Sequence, residues 1–181
     1  VEISYSRAEA AQKCLDVVLP ASFYQVRSPS HWSNGSVSLA FNNPPYDWSE
    51  WEELRKGKKR RVRHEVLFLE GLTPKLVPGG HQVLIVPQSI LGDPQMLGEE
   101  ETERVARHLV GWYEDVQVYR FPGELFERFK QVVVLAIRKR RQYAHPGQAA
   151  LEAIMQLASA EIAELGEGDG QIRIPPAPTG V

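Results

Sequence analysis

Residues 36–46 read Ser-Val-Ser-Leu-Ala-Phe-Asn-Asn-Pro-Pro-Tyr. The first six form a compact run that begins after Asn34-Gly35 and stops at two asparagines and two prolines. Turn-forming residues at both ends of such a run are typical of a buried strand. Asn43-Pro44-Pro45-Tyr46 follows directly. Its two prolines stiffen the backbone and remove N–H groups, so nearby carbonyl oxygens can point outward as acceptors. The stretch predicts a strand ending in a rigid turn rich in acceptors, although the tetrapeptide alone also fits an ordinary tight turn.

Helices and strands alternate downstream of this stretch. Apolar spacing predicts a helix over 62–76, closed by a Pro-Gly-Gly sequence, and the apolar run 83–86 predicts a strand covered on both faces. A further helix is predicted over 99–112, with acidic residues at its N-terminal end. Strands predicted over 116–121 and 131–138 are too close in sequence for a full helix between them, so they are expected to pair antiparallel. This order predicts a three-layer α/β fold with a mostly parallel sheet and an antiparallel strand pair at its edge.

The two ends of the sequence extend this pattern. Residues 1–3 (Val-Glu-Ile) are typical of a buried strand, and 7–18 has the apolar spacing of a short helix. A strand without any lead-in leads us to expect further residues upstream. An amphipathic helix is predicted over 148–165, followed by a tail rich in Gly and Pro. We therefore expect a core over 1–143 that is incomplete at its N-terminus, and a helical extension with a flexible tail over 144–181.

Composition narrows the class of protein. A net charge of -2 argues against a chain that is basic all over, but leaves room for a local basic patch. The single cysteine, Cys14, permits neither a disulfide framework nor a cysteine-based zinc site within the chain, and it fits a reducing cytoplasm. No apolar run is long enough for a membrane span, and the histidines show no metal-ligand spacing. These observations predict a cytoplasmic protein without a metal site or a membrane partner.

Over roughly 1–138 the sequence resembles the class I S-adenosylmethionine-dependent methyltransferases that modify amino nitrogens, whose fourth motif follows a strand as Asn43-Pro44-Pro45-Tyr46 does here. In that family the side chain at the Asn43 position and the carbonyl at the Pro44 position accept hydrogen bonds from the target amino group, which orients its nitrogen lone pair. The ring at the Tyr46 position stacks on a target base, which must be flipped out of a duplex. The resemblance implies a Rossmann-like fold, S-adenosylmethionine as cofactor and methyl transfer to an exocyclic nitrogen, first of all adenine N6 in DNA.

Three residues carry the resemblance in the cofactor region. Glu2 stands where the family's acidic residue holds the ribose hydroxyls, and Ser22 and Phe23 stand in the motif that contacts the cofactor's adenine. Each has a simpler interpretation: Glu2 as a surface glutamate, Phe23 as a core residue, and Ser22 as a departure from the usual Asp. The family's glycine-rich first motif is absent from the sequence. It is expected upstream; the alternative is a degenerate relative that binds no cofactor.

A basic run soon after the motif is the candidate nucleic-acid contact. It also fits a solvated loop that flanking glutamates partly neutralise. DNA is favoured over RNA, with a separate specificity subunit or missing residues supplying sequence recognition. Two alternatives share the chemistry, namely methylation of protein glutamine or of guanine N2 in RNA, and a third is a catalytically degenerate nucleic-acid-binding or assembly module. The candidate nucleic-acid-binding residues are Arg55, Lys58, Lys59, Arg60 and Arg61.

Overall fold

The computed structural model describes residues 1–26, 33–49, 52–53, 59–98, 101–169 and 173–176, with the backbone alone at 52, 53, 59, 60 and 125. The chain divides into two compact units, Val1–Ser33 and Asn34–Gly180. Among the described residues, no helix is both long enough and apolar enough to cross a bilayer.

The first unit contains one helix, α1 (Tyr5–Ala11), and a 3-10 turn at Phe23–Gln25. The prediction of a buried strand at residues 1–3 is wrong: these residues are not in a strand, and Val1 and Ile3 are 52% and 73% exposed. A short segment becomes a strand only if a neighbour pairs along it, and among the described residues the backbone bond made by residues 1–3 runs from the N–H of Glu2 to the carbonyl of Leu19. The helix predicted over 7–18 starts earlier and stops at residue 11.

The second unit carries the sheet. Its strands are β1 (Val37–Asn42), β2 (Glu52–Glu53), β3 (Lys59–Arg60), β4 (Leu76–Pro87), β5 (Tyr113–Arg120) and β6 (Gln131–Arg138). Its helices are α2 (His64–Leu72), α3 (Pro94–Leu97), α4 (Thr102–Trp112), α5 (Glu124–Phe129) and α6 (Gln148–Gln156), with 3-10 turns at Thr73–Lys75 and Gln88–Leu91. The short strands β2 and β3 pair with each other in a separate two-stranded sheet.

The main sheet has the order β1-β4-β6-β5. β1 and β4 are parallel, whereas β6 is antiparallel to both of its neighbours. The antiparallel pairing of the last two strands is thus confirmed, and the fold is α/β with a mixed sheet. A mostly parallel sheet is not confirmed, because one of the three pairings is parallel and two are antiparallel. The antiparallel pair β6-β5 lies at one edge of the sheet, with β5 as the outermost strand and β6 between β4 and β5.

The burial of β6 explains its interior place. Residues 132–136 (Val-Val-Val-Leu-Ala) are all buried, so this strand is covered on both faces and needs neighbours on both sides. β5 is mostly half-buried and suits the edge. α5 ends at Phe129 and is followed by Lys130, whose left-handed backbone (φ 49°) turns the chain into β6. The amino end of β6 therefore meets the carboxyl end of β4, where Gln131 pairs with Pro87.

β4 begins earlier than its apolar run indicated. The predicted helix over 62–76 ends at Leu72, and the Pro-Gly-Gly sequence predicted to close it lies within the strand. Gly80 permits this, because a Cβ there would lie 2.9 Å from the carbonyl oxygen of Val77 and 3.1 Å from that of Ser38. Because Gly80 has no side chain, β4 can approach β1 closely at this point.

α6 packs against α4 and contributes Leu151 and Ile154 to the core of the second unit. It occupies the first half of the helix predicted over 148–165. At Gly92 an added Cβ would lie 2.6 Å from the Cα of Met155, so the chain after β4 runs directly against the backbone of α6. The predicted tail lies partly outside the described residues.

Candidate active site

The Asn-Pro-Pro-Tyr motif begins immediately after β1, at the carboxyl end of that strand. Asn43 and Pro45 are exposed, Pro44 is buried and Tyr46 is half-buried. The buried Pro44 attaches the turn to the body of the unit, while the side chain of Asn43 remains accessible. The motif is thus a rigid turn with one amide presented to solvent.

A short chain of hydrogen bonds joins the motif to the rest of the sheet. The Tyr46 hydroxyl donates to Asn43 Oδ1 over 3.0 Å and lies 3.5 Å from the main-chain oxygen of Ile85 in β4. Gln131 Nε2, on the first residue of β6, donates to the same hydroxyl over 2.9 Å. Side chains that follow β1 and begin β6 therefore meet at one end of the sheet.

The environment keeps the Tyr46 hydroxyl protonated. Burial raises its pKa, the Gln131 hydrogen bond opposes this in part, and the negative charge of Glu65 adds a smaller upward effect. A tyrosine whose pKa lies above its ordinary value near 10 is a donor at neutral pH. The Asn43 oxygen consequently has a permanent hydrogen-bond partner.

The chain after the motif is tied back to the segment that enters α2. Ser49 N–H donates to the carbonyl of Val62 over 2.8 Å, and the N–H of Val62 donates to Ser49 Oγ over 3.0 Å. His64 N–H donates to the carbonyl of Asp47 over 2.9 Å. These bonds clamp the two ends of the intervening loop together beside the motif.

A buried ion pair lies at the start of α2. Arg63 and Glu65 have side chains only 8% and 1% exposed, and they form two contacts, Nη2–Oε1 at 2.5 Å and Nε–Oε2 at 3.2 Å. The Arg63 guanidinium also lies 5.5 Å from the ring centre of Trp48, two residues after Tyr46. The negative charge of Glu65 also raises the pKa of Tyr46, so the pair lies close enough to the motif to influence it.

The basic run is only partly described. Arg55 and Lys58 lie outside the described residues. The register of β2 and β3 sets glutamates opposite basic residues, Glu53 opposite Lys59 and Glu52 opposite Arg60.

Arg61 is exposed and lies beside the motif. Its Nε donates to the carbonyl of Ser49 over 3.1 Å, and its guanidinium is 5.9 Å from the centre of the Trp48 ring. Trp48 is therefore flanked by Arg61 and Arg63. A role for the basic run in nucleic-acid binding stays a prediction.

The predicted cofactor residues belong to the first unit. Glu2 Oε1 accepts from the N–H of Ser4 over 2.7 Å and from Arg7 Nη2 over 3.0 Å, and these bonds, that of Arg7 first, lower the pKa of the carboxyl. An ionised carboxylate with 28% side-chain exposure fits the acceptor that ribose hydroxyls need. Ser22 precedes the 3-10 turn without capping it, and the Phe23 ring packs edge-on against Tyr24 at 5.7 Å.

A second polar cluster lies at the opposite end of the sheet. Thr73 Oγ1 donates to the carbonyl of Leu69 over 2.7 Å and lies 2.7 Å from His108 Nε2 and 2.6 Å from the Tyr113 hydroxyl. Burial lowers the pKa of His108 to about 4 and raises that of Tyr113 to about 12. These hydrogen bonds join the 3-10 turn after α2 to α4 and to the first residue of β5. In the part of the chain that the structure describes, no three side chains are grouped to hold a metal ion.

Sequence reasoning found the motif but missed the residues around it. Gln131, Arg63 and Glu65 were not identified. A signal existed for Gln131: it is the polar first residue of an apolar strand predicted to be antiparallel, and the amino end of such a strand lies at the carboxyl ends of parallel neighbours. The ion pair has no comparable sequence signal.

Comparison with known proteins places the chain in a family. A comparison with the curated proteins gives no match. The chain does match an uncharacterised methyltransferase family, DUF6094, over residues 1–169. That match spans most of the 181 residues and includes both the motif and its surroundings. The protein therefore belongs to the methyltransferase family DUF6094.

Proposed function

We propose that this methyltransferase uses S-adenosylmethionine to methylate an exocyclic amino nitrogen, namely N6 of adenine in DNA. The observation that carries the proposal is the hydrogen-bonded pair Asn43–Tyr46 at the accessible end of β1. The resemblance of the motif to amino-methyltransferases supplies the chemistry, and membership of a methyltransferase family agrees with it.

The acceptors of the motif suit an amino group. An amide oxygen has two lone pairs; at Asn43 Oδ1 one accepts from Tyr46 and the other remains for a substrate N–H. The main-chain carbonyl of Pro44 would accept the second N–H. With both hydrogens held, the nitrogen lone pair points away from the protein acceptors, and positioning of this kind lowers the barrier to transfer. The bound cofactor supplies an electrophilic methyl group, and the nitrogen afterwards releases one proton to water.

Substrate and cofactor would engage further residues. The half-buried Tyr46 ring offers a stacking face for a flipped base, and the basic run with Arg61 would contact phosphates. Glu2 would hold the ribose of the cofactor, with Ser22 and Phe23 beside its adenine. The Rossmann-like arrangement is part of the same proposal. It is supported by the common direction of β1, β4 and β5, since both β4 and β5 run antiparallel to β6. A cytoplasmic location remains a proposal that rests on the single cysteine.

The test combines cofactor binding with transfer of radiolabelled methyl from S-adenosylmethionine to three substrates: duplex DNA, RNA and a glutamine-containing peptide. The proposal expects label in DNA, recovered as N6-methyladenine after digestion. Asn43→Ala should reduce kcat by roughly 100-fold, the usual effect of removing one preorganised hydrogen bond from a catalytic site. Binding of S-adenosylmethionine, measured by calorimetry, should be unchanged.

Asn42→Ala is the matched control. Asn42 is the last residue of β1, only 3% exposed, and its Nδ2 has no hydrogen-bond partner among the described residues. The same truncation one residue earlier should therefore leave kcat close to wild type. Label in RNA or peptide instead of DNA would replace adenine N6 by guanine N2 or glutamine as the target. A fully active Asn43→Ala, or a protein that neither binds cofactor nor transfers methyl, would refute the proposal, the latter in favour of a nucleic-acid-binding or assembly module.

A further inference from the structure

The hydrogen bonds at the motif run in one direction. Gln131 Nε2 donates to the Tyr46 oxygen over 2.9 Å, and the single hydroxyl hydrogen of Tyr46 is left for an acceptor. Asn43 Oδ1 at 3.0 Å is nearer than the Ile85 oxygen at 3.5 Å, so the hydrogen points to Asn43. The direction is Gln131 to Tyr46 to Asn43.

We propose that Gln131 is a positioning residue for methyl transfer: because it donates to the Tyr46 oxygen, it leaves the Tyr46 hydrogen to hold the Asn43 amide with its oxygen toward the substrate. The inference rests on the proposed function of Asn43. Gln131 lies 85 residues from Tyr46 in the chain and acts at one remove from the reacting nitrogen.

The Asn43 oxygen needs a fixed hydrogen-bond donor because the Asn43 side chain is exposed. The terminal torsion of an asparagine is broad and roughly two-fold, so an exposed amide can present either its oxygen or its NH₂ group. An NH₂ group would face the N–H donors of the substrate and repel them. The Tyr46 hydrogen excludes that orientation, because an amide nitrogen accepts no hydrogen bond.

Because the hydrogen bonds run in one direction, substitutions at residue 131 that keep, remove or reverse the bond to Tyr46 should have different effects. In Gln131→Glu the carboxylate accepts the Tyr46 hydrogen. The direction of the hydrogen bonds is then reversed, and Asn43 loses its donor. In Gln131→Leu the donor to Tyr46 is lost, but the hydroxyl hydrogen can still reach Asn43. Tyr46→Phe removes the hydroxyl and keeps the ring. We therefore expect Gln131→Glu and Tyr46→Phe to behave alike and Gln131→Leu to be mild.

The experiment measures kcat and KM for methyl transfer in these variants. Gln131→Glu and Tyr46→Phe should lower kcat about tenfold with KM for S-adenosylmethionine unchanged, Gln131→Leu less than about threefold, and the double variant Tyr46→Phe/Gln131→Glu no further than Tyr46→Phe alone. Gln117→Glu is the control for the added charge, since on strand β5 the Tyr119 hydroxyl donates to Gln117 Oε1 over 3.0 Å, and a carboxylate there still accepts that hydrogen. It should leave kcat unchanged. Wild-type kcat in Gln131→Glu, or losses that multiply in the double variant, would overturn the inference.

A second readout does not depend on activity. The side-chain NH₂ resonances of Asn43, assigned by their loss in Asn43→Ala, should shift in Tyr46→Phe and Gln131→Glu but not in Gln117→Glu. If the Asn43 resonances were unchanged in Gln131→Glu, residue 131 would not control the orientation of the Asn43 amide. A wild-type protein that transfers no methyl at all overturns the proposed function, whereas this comparison still decides whether Gln131 acts on Asn43 through Tyr46.

Discussion

The buried ion pair beside the motif gives the sharpest stability prediction. Glu65→Gln keeps the size of the side chain but leaves the Arg63 guanidinium, 8% exposed, without its negative partner. Breaking a buried pair on one side costs about 3–5 kcal/mol because the remaining charge is uncompensated. Arg63 keeps its contact with the Trp48 ring at 5.5 Å, which offsets part of the cost. We therefore expect a loss of about 3 kcal/mol in the free energy of unfolding.

Urea and thermal unfolding measure this loss. In a chain of 181 residues, about 3 kcal/mol corresponds to a fall in Tm of roughly 6–12 °C. A double variant, Arg63→Met with Glu65→Leu, removes both charges and fills similar volume, so it should recover most of the stability. Recovery would show that Glu65→Gln loses stability because the Arg63 charge is uncompensated and not because packing is altered.

The chain offers a control pair with the same separation. Arg107 and Glu103 on α4 also lie 2.5 Å apart, but their side chains are 53% and 39% exposed. Because water solvates a charge left behind at the surface, Glu103→Gln should cost less than about 0.5 kcal/mol. If Glu65→Gln were as mild as Glu103→Gln, burial would not decide the strength of the pair, and the reasoning would be refuted.

Two further predictions concern the rest of the second unit. The pKa of His108 is lowered by burial from an ordinary 6.5 to about 4, so the unfolded chain takes up the proton first, and wild-type stability should fall by about 3 kcal/mol as pH drops from 6.5 to 4. His108→Gln should remove this dependence in urea titrations; an equal slope in both proteins would count against it. Gly92→Ala should cost about 1–3 kcal/mol in urea unfolding, because its Cβ would meet the Met155 backbone at 2.6 Å. Gly147→Ala, with nothing within 4 Å of the added Cβ, should cost less, and equal costs would contradict the clash.

Local patterns predicted the elements whose boundaries depend on local chemistry. β1 was expected over 36–41 and is found at Val37–Asn42, because Gly35 before it and the prolines of the motif after it limit its two ends. β6 was expected over 131–138, as observed, because its apolar run lies between polar residues. The strand at residues 1–3 failed because its apolar residues have no partner strand along them, and pairing is a non-local property that a triplet does not contain.

The same distinction applies to the candidate site. Asn43 and Tyr46 are three residues apart in the sequence, and the hydrogen bond between them follows from one rigid turn. Gln131 is brought to Tyr46 only by the insertion of β6 between β4 and β5, which the element order did not specify. Glu65 and Arg63 are close in sequence, yet their burial depends on how α2 begins against the loop after the motif. Sequence thus predicted the acceptors of the site and not the groups that hold them.

The reversed strand supplies what the motif lacks. A turn built from two prolines offers carbonyl and amide acceptors but loses two backbone donors, so the Asn43 oxygen relies on the Tyr46 hydroxyl as its donor, and the neighbours of that hydroxyl decide where its hydrogen points. Parallel neighbours bring only their own carboxyl ends to this edge of the sheet. β6, running the opposite way, brings its first residue there, and that residue carries a side-chain donor. The antiparallel strand therefore has a chemical consequence as well as a topological one: it delivers the donor from which the hydrogen bonds of the proposed site begin.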